Sequence, residues 1–204
     1  MDLYLVEPTK KYEKQAIEYI EEHYIYFSEI NGSGGLDRYV NNFDNWLDKL
    51  EEDKNRIVDE NRVPSVTYFL VRKSDDRIVG MVNIRLKLND RLKQLGGNIG
   101  YGIRPTERRQ GYNKRNLYLA LLKCKEYGLD KVQLDCEIDN VGSKKTIEAL
   151  GGVLEKEFYN EYYNNTILSY SIDVNNSIEK YKELVLWCLV IINVEKKIMN
   201  LFII

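Results

Sequence analysis

Residues 98–127 constrain the fold of this chain more than any other stretch. An extended segment with two glycines, Asn98-Ile99-Gly100-Tyr101-Gly102-Ile103, leads to a basic turn, Arg108-Arg109-Gln110-Gly111-Tyr112-Asn113-Lys114, and then to a helix from Leu117 to Tyr127. Such a unit needs a sheet for its strand and an apolar surface for Leu117, Ala120, Leu121 and Cys124, which recur at helical spacing. It also leaves the first backbone N–H groups of the helix without acceptors, at the positive end of the helix dipole. With Arg108, Arg109, Lys114 and Arg115 around them, these groups make an anion site suited to a phosphate or pyrophosphate. The alternative is a turn that binds nothing, because a short basic motif carries a false-positive risk.

The remainder reads as a mixed α/β domain. Leu3–Glu7 is a short strand, and Pro8-Thr9 open a helical segment to about Ile30 with Ala16, Ile17 and Ile20 on one face. Asn31-Gly32-Ser33-Gly34-Gly35 breaks it. A second helix follows, with Leu36, Tyr39, Val40, Phe43, Trp46, Leu47 and Leu50 along one stripe. After a polar connection, Ser65–Lys73 reads as a strand. The next strand has a period-two pattern that sets Ile78, Gly80, Val82, Ile84, Leu86 and Leu88 on one face. A strand over Lys131–Glu137, a helix over about 141–150, and strands over 153–162 and 166–173 complete the order β-α-α-β-β-β-α-β-α-β-β, with no internal repeat.

The length of 204 residues suits one domain, assigned here to residues 1–173, with 174–204 as an apolar extension. A net charge of −2 argues against a nucleic-acid binder. Cys124, Cys136 and Cys188 have no metal-ligand spacing, so no metal is expected. Cys124 and Cys136 fall on apolar faces and read as buried thiols in a reducing compartment. The N-terminus shows no signal peptide, and a cytoplasmic location is expected. Ser177–Leu184 reads helical and Leu184–Val194 is apolar but for Asn193, too short to span a membrane at roughly twenty residues. The extension is expected to pack on its own domain or on a second copy, as a homodimer.

Asp139-Asn140-Val141-Gly142-Ser143 opens the helix after the strand at 131–137, either as a simple N-cap or as a second helix terminus facing the same crevice. Together with the run from Gly100 to Tyr112, this resembles the GNAT N-acetyltransferases. Arg108-x-x-Gly111-x-Asn113 lies on that family's pyrophosphate motif, and Asp139-Asn140-x-x-Ser143 lies on its second motif. The resemblance, over roughly residues 3–173, implies a mostly antiparallel central sheet flanked by helices, with a splayed central strand pair. It implies acetyl-CoA as donor, with coenzyme A as product. N–H groups from Gln110 through Gly111, Tyr112 and Asn113 to Lys114 would hold the pyrophosphate, beside Arg108 and Arg109. The backbone at Ile103 and Arg104 would pair with the pantetheine arm, which would explain Gly100 and Gly102. Asn140 would bond the pantetheine or acetyl end, and Ser143 and Lys144 would reach phosphate oxygens, with a solvated helix face as the alternative for Lys144.

The family's chemistry is direct attack of an amine on a thioester, with a base for the amine proton and an acid for the thiolate. Three residues depart from its pattern. Asn113 stands for a Gly or Ala, Asn98 for a frequent Glu base, and Ile147 for a frequent Tyr acid. The candidate catalytic residues are therefore Asn98 at the base position, Tyr101 as a hydroxyl and Asp135 as a water-relayed proton acceptor. Tyr159, Tyr162, Tyr163 and Glu137 are substitutes, and His23 is expected at the surface. The acceptor is an amine of a small molecule or peptide, with Asn31–Gly35 as a substrate loop or a plain linker. The rivals are a non-catalytic acetyl-CoA-binding sensor and a site for inorganic phosphate or nucleotide.

Overall fold

In the computed structural model, which describes residues 3–161 and 163–183, the apolar runs pair into two antiparallel sheets. β1 (Leu3–Val6), β2 (Ser65–Arg72), β3 (Arg77–Arg85) and β4 (Ile99–Ile103) form the first in chain order. β5 (Lys131–Glu137), β6 (Val153–Asn160) and β7 (Asn165–Asp173) form the second, with β7 in the middle. Helices α1 (Glu13–Ile25) and α2 (Phe43–Lys54) cover one face of the first sheet, where Tyr19, Ile20, Phe43 and Trp46 pack on Phe69, Val71, Ile78 and Met81. A short α3 (Asp90–Gln94), unforeseen in the sequence, lies between β3 and β4. α4 (Tyr112–Glu126), α5 (Val141–Ala149) and α6 (174–183) share one core with both sheets. There Leu117, Leu121, Ile147 and Ile178 meet Val82, Ile84, Leu134, Leu168 and Tyr170.

The order of strands along the chain follows the sequence reading, α4 begins at Tyr112 rather than at Leu117, and three further details differ. First, β3 does not keep one face. Leu70 pairs with Gly80 but Val71 pairs with Ile78, so Val79 is an extra residue that shifts the register. Ile78 consequently packs under α1 and α2, while Val82 and Ile84 face α4. β3 also ends at Arg85, before Leu86 and Leu88. Second, α1 stops at Ile25 and Phe27 takes a left-handed φ of 48°, turning the chain sharply where a continuous helix was expected. Third, α2 begins only at Phe43, because the Asn42 side chain accepts the Asn45 N–H at 3.2 Å and caps it there. Leu36 sits in a separate single turn and is still buried.

β4 and β5 are the facing edges of the two sheets, and they are joined at one end. Asn98, just before β4, donates its N–H to the Gln133 carbonyl at 2.7 Å and accepts the Gln133 N–H on Oδ1 at 2.9 Å. From that junction the strands diverge. Of the extension, α6 buries Val174 and Ile178, and the Ser177 hydroxyl bonds the Leu150 carbonyl at 2.7 Å. The apolar run from Leu184, Cys188 and Tyr162 lie outside the described residues. No helix among the described residues is long and apolar enough to cross a membrane.

Candidate functional site

The divergence of β4 and β5 opens a cleft of about 910 Å³, walled by the turn before α4, the start of α5 and the chain after α1. The Asn98 carbonyl accepts from Arg85 N–H at 2.7 Å and the Arg104 N–H donates to Val79 at 2.9 Å, so even-numbered residues of β4 turn to β3. With the period of two, the backbone groups of Ile99, Tyr101 and Ile103 face the cleft.

At one end the turn adopts the geometry of an anion cradle. Arg109 and Gly111 both have left-handed φ, 62° and 76°, and Gly111 occupies the N-cap of α4. Gly111 brings no side chain to cap that helix, and the residues of its first turn present the positive dipole end to the cleft. Arg108, Arg109, Gly111, Tyr112, Asn113 and Lys114 all line it, and Arg108, Arg109 and Lys114 are exposed. The Tyr112 side chain turns inward instead, its hydroxyl 3.2 Å from Arg72. Asn113, the departure from the family pattern, reaches α5, donating to the Thr146 hydroxyl at 3.3 Å.

Toward the middle of the cleft, the Tyr101 and Ser143 hydroxyls lie 2.8 Å apart, with Cys136 beside Ser143. Burial raises the Tyr101 hydroxyl above its ordinary pKa, so it carries its proton at neutral pH. Burial also pushes the Cys136 thiol up to about 11. Asn140 lines the cleft and is at the same time the N-cap of α5, its Oδ1 accepting the Ser143 N–H at 3.0 Å. Asp135, on the β5 side, accepts the Gly96 N–H at 2.7 Å and the Gln133 side-chain amide at 3.1 Å. Glu137 and Glu29 add two more carboxylates to the walls, and Arg85 adds a cation that donates to the Gly96 and Gly97 carbonyls.

Several residues singled out in the sequence lie elsewhere. Arg104 does not face the cleft. Its guanidinium is buried, donating to the Ile78 and Gln15 carbonyls and to Glu22, and its N–H is taken by Val79. Gln110 and Lys144 are not among the lining residues. Asn98 is also outside the lining, and its Nδ2 donates to the Arg85 carbonyl at 3.0 Å, so both ends of its amide are engaged. Ile147 is fully buried in the main core. His23 is buried rather than at the surface. Its Nδ1 pairs with the Tyr19 carbonyl at 2.8 Å, and burial, then the charge of Arg108, holds its pKa below the ordinary value.

Gly102 is small for a different reason from the one expected: a side chain there would meet the Asn31 carbonyl at 2.8 Å and the Tyr19 hydroxyl at 3.0 Å. The room serves the 31–35 loop, which presses on β4, and Asn31 itself lines the cleft. The sequence reading missed the lip formed by Tyr26, Phe27, Ser28 and Glu29. No glycine or proline announces the turn at Phe27, so nothing in the sequence separates it from the helix.

The fold has known counterparts. The acetyl-CoA and AMP complex of the microcin C7 self-immunity acetyltransferase MccE is 20% identical, with a TM-score of 0.60 over 84% of this chain and 92% of that one. The ribosomal-protein-S5-alanine acetyltransferase from Vibrio fischeri is 16% identical, with a TM-score of 0.61 over 84% and 91%. Mycobacterium smegmatis RimJ in complex with CoA-disulfide is 12% identical, with a TM-score of 0.67 over 89% and 88%. At these identities the likeness is one of fold. A search of curated protein sequences gives no match. The family model described as acetyltransferase (GNAT) family matches residues 36–151, more than half of the chain and the whole stretch from α2 to the end of α5. This chain belongs to the GNAT acetyltransferase family.

Proposed function

We propose that this chain is an acetyl-CoA-dependent N-acetyltransferase acting on a primary amine of a small molecule or peptide, in the cytoplasm. The observation that carries the reading is the α4 N-terminus, with glycine at its cap behind left-handed Arg109, ringed by cations and opening on the edge of β4 that faces β5. Pyrophosphate suits the N–H groups from Gln110 to Lys114 with Arg108, Arg109 and Lys114 around them. The backbone groups of Tyr101 and the N–H of Ile103 suit the amides of an extended arm lying where a strand is missing, the Ile103 carbonyl being held by Arg108. Bound there, acetyl-CoA supplies an activated acetyl thioester. MccE, whose structure holds acetyl-CoA, supports the choice of donor.

The chain's own residues then handle two protons. An amine arrives as its ammonium form and must lose a proton before attack, and the departing thiolate must gain one. We assign the second role to the Tyr101 hydroxyl, which faces the middle of the cleft and is steadied by Ser143. Asp135 accepts the amine proton through water, and the carboxylates of Asp135, Glu137 and Glu29 in the cleft walls favour a cationic acceptor. Asn98 sets the angle between the strands.

One observation favours a second reading, a non-catalytic acetyl-CoA sensor: neither Asn98 nor Ile147 presents a titratable group to the cleft. Calorimetry with CoA and a thiol-release assay over a panel of amines separate the two. Amine-dependent CoA release supports the transferase. CoA binding with no release for any amine supports the sensor, and no CoA binding removes both.

A further inference from the structure

The turn that forms the cradle does not hold its own position. Between β4 and the turn, the segment 104–108 hangs from two carboxylates. One is Glu107, which receives Arg72 at 2.6 Å and 3.1 Å and lies 3.2 Å from Arg77. The other is Glu22, on α1, the helix that leads into the lip at the opposite wall. Its Oε1 accepts both the N–H and the hydroxyl of Thr106, each at 2.8 Å, and its Oε2 accepts Arg104 at 3.0 Å. Arg104 is 4% exposed and Glu22 13%, so this pair works in a partly dehydrated seam where a lost partner is costly. A second tie crosses the same seam: Arg108 donates to the Ile103 carbonyl at 3.1 Å and to the Ser28 hydroxyl at 2.6 Å.

We propose that Glu22 is a positioning residue of the transferase. It fixes the height of the 104–108 segment, aims the Arg109–Gly111 turn at the pyrophosphate, and locks the donor side of the cleft to the lip at Tyr26–Glu29. It touches neither substrate nor reacting atoms. Its effect is on how tightly the donor is held, because a cradle built from backbone N–H groups loses several hydrogen bonds together when it tilts. The proposal rests on the reading of the cradle as a CoA site.

The experiment measures CoA affinity by calorimetry, the KM for acetyl-CoA, kcat and thermal midpoint for Glu22→Ala, Glu22→Gln and Glu18→Ala. Glu18, one turn earlier on α1 and half-exposed, lies 3.9 Å from Lys14 and serves as the control. Glu22→Ala is expected to weaken CoA binding and raise KM by about tenfold while kcat stays within about threefold. Glu22→Gln keeps an oxygen for Thr106 but cannot accept from Arg104 with its amide nitrogen, and is expected to fall between. Glu18→Ala should match the wild type.

Should Glu22→Ala fail to fold, Glu22→Gln decides. The proposal is overturned if the folded Glu22 variants bind CoA within about twofold of wild type whatever their thermal midpoint, or if kcat falls while KM holds. Wild-type protein that binds no CoA would strike the coenzyme reading itself, an outcome visible before any variant is made.

Discussion

At the scale of single residues, the polar groups that matter most are committed to structure. Asn98 is the plainest case, since its side chain satisfies a donor on β5 and an acceptor on β3. Asn98→Ala would leave the Gln133 N–H and the Arg85 carbonyl without partners, at about 1–3 kcal/mol for each group left unmet. We expect a clear drop in denaturant midpoint. Asn98→Glu would restore the residue type common in relatives, yet a carboxylate cannot donate to the Arg85 carbonyl, so it should destabilise without raising kcat. A rise in kcat would reverse the assignment of Asn98 as a spacer. His23 gives a pH prediction. Its folded pKa lies below the ordinary value of 6.5, so the unfolded chain takes up the proton first. Stability is therefore complete above that value and falls as the pH drops below it. Denaturation at pH 7.5 and 5.5 should show a smaller loss in His23→Leu than in the wild type, and equal losses would remove His23 from the account.

At the scale of elements, two glycines at the ends of the β4 unit should respond differently to the same change. Gly111 has open space around its Cβ position, so Gly111→Ala meets only the left-handed backbone, at about 1–2 kcal/mol. The tilt it imposes on the first turn of α4 should weaken CoA binding more than it lowers stability. Gly97 also has left-handed φ, 58°, but a side chain there would collide with the Gln133 carbonyl at the junction of the two sheets. Gly97→Ala should therefore cost markedly more in thermal midpoint, and a ranking with Gly111→Ala the more damaging would contradict the junction as described. Periodicity and turn residues made most elements legible: β5 has the expected bounds, and β2, β7 and α5 differ at the margins. What escaped has physical causes. The extra residue at Val79 inverts the faces of β3, and no local pattern marks it, because Ile78, Val79, Met81 and Val82 are all apolar and all buried. The cradle was legible since its chemistry lies in one continuous stretch. Its support by Glu22 and Ser28 was not, because those bonds join residues 84 and 80 positions apart in the chain.

At the scale of the whole molecule, α6 belongs to the main core, so cutting the chain after residue 175 would remove Ile178 and the Ser177 bond from it. The informative truncation ends at residue 183. We expect the full chain to show the mass of a dimer in solution and the truncated chain that of a monomer with CoA binding retained; equal masses would end the role of the tail as a subunit contact. The divergence of β4 from β5 carries one more consequence. Beyond Asn98, the described backbone offers no hydrogen-bonded ladder between the two sheets, and what joins them there is the side-chain core they share with α4, α5 and α6. A donor lying along Ile99, Tyr101 and Ile103 would supply the absent rung, acting as a piece of scaffold as well as a reactant. Saturating CoA should then slow amide exchange at those three positions and raise the thermal midpoint. Release of coenzyme A, after the acetyl group has left, would be the moment at which the protein gives back its own mortar.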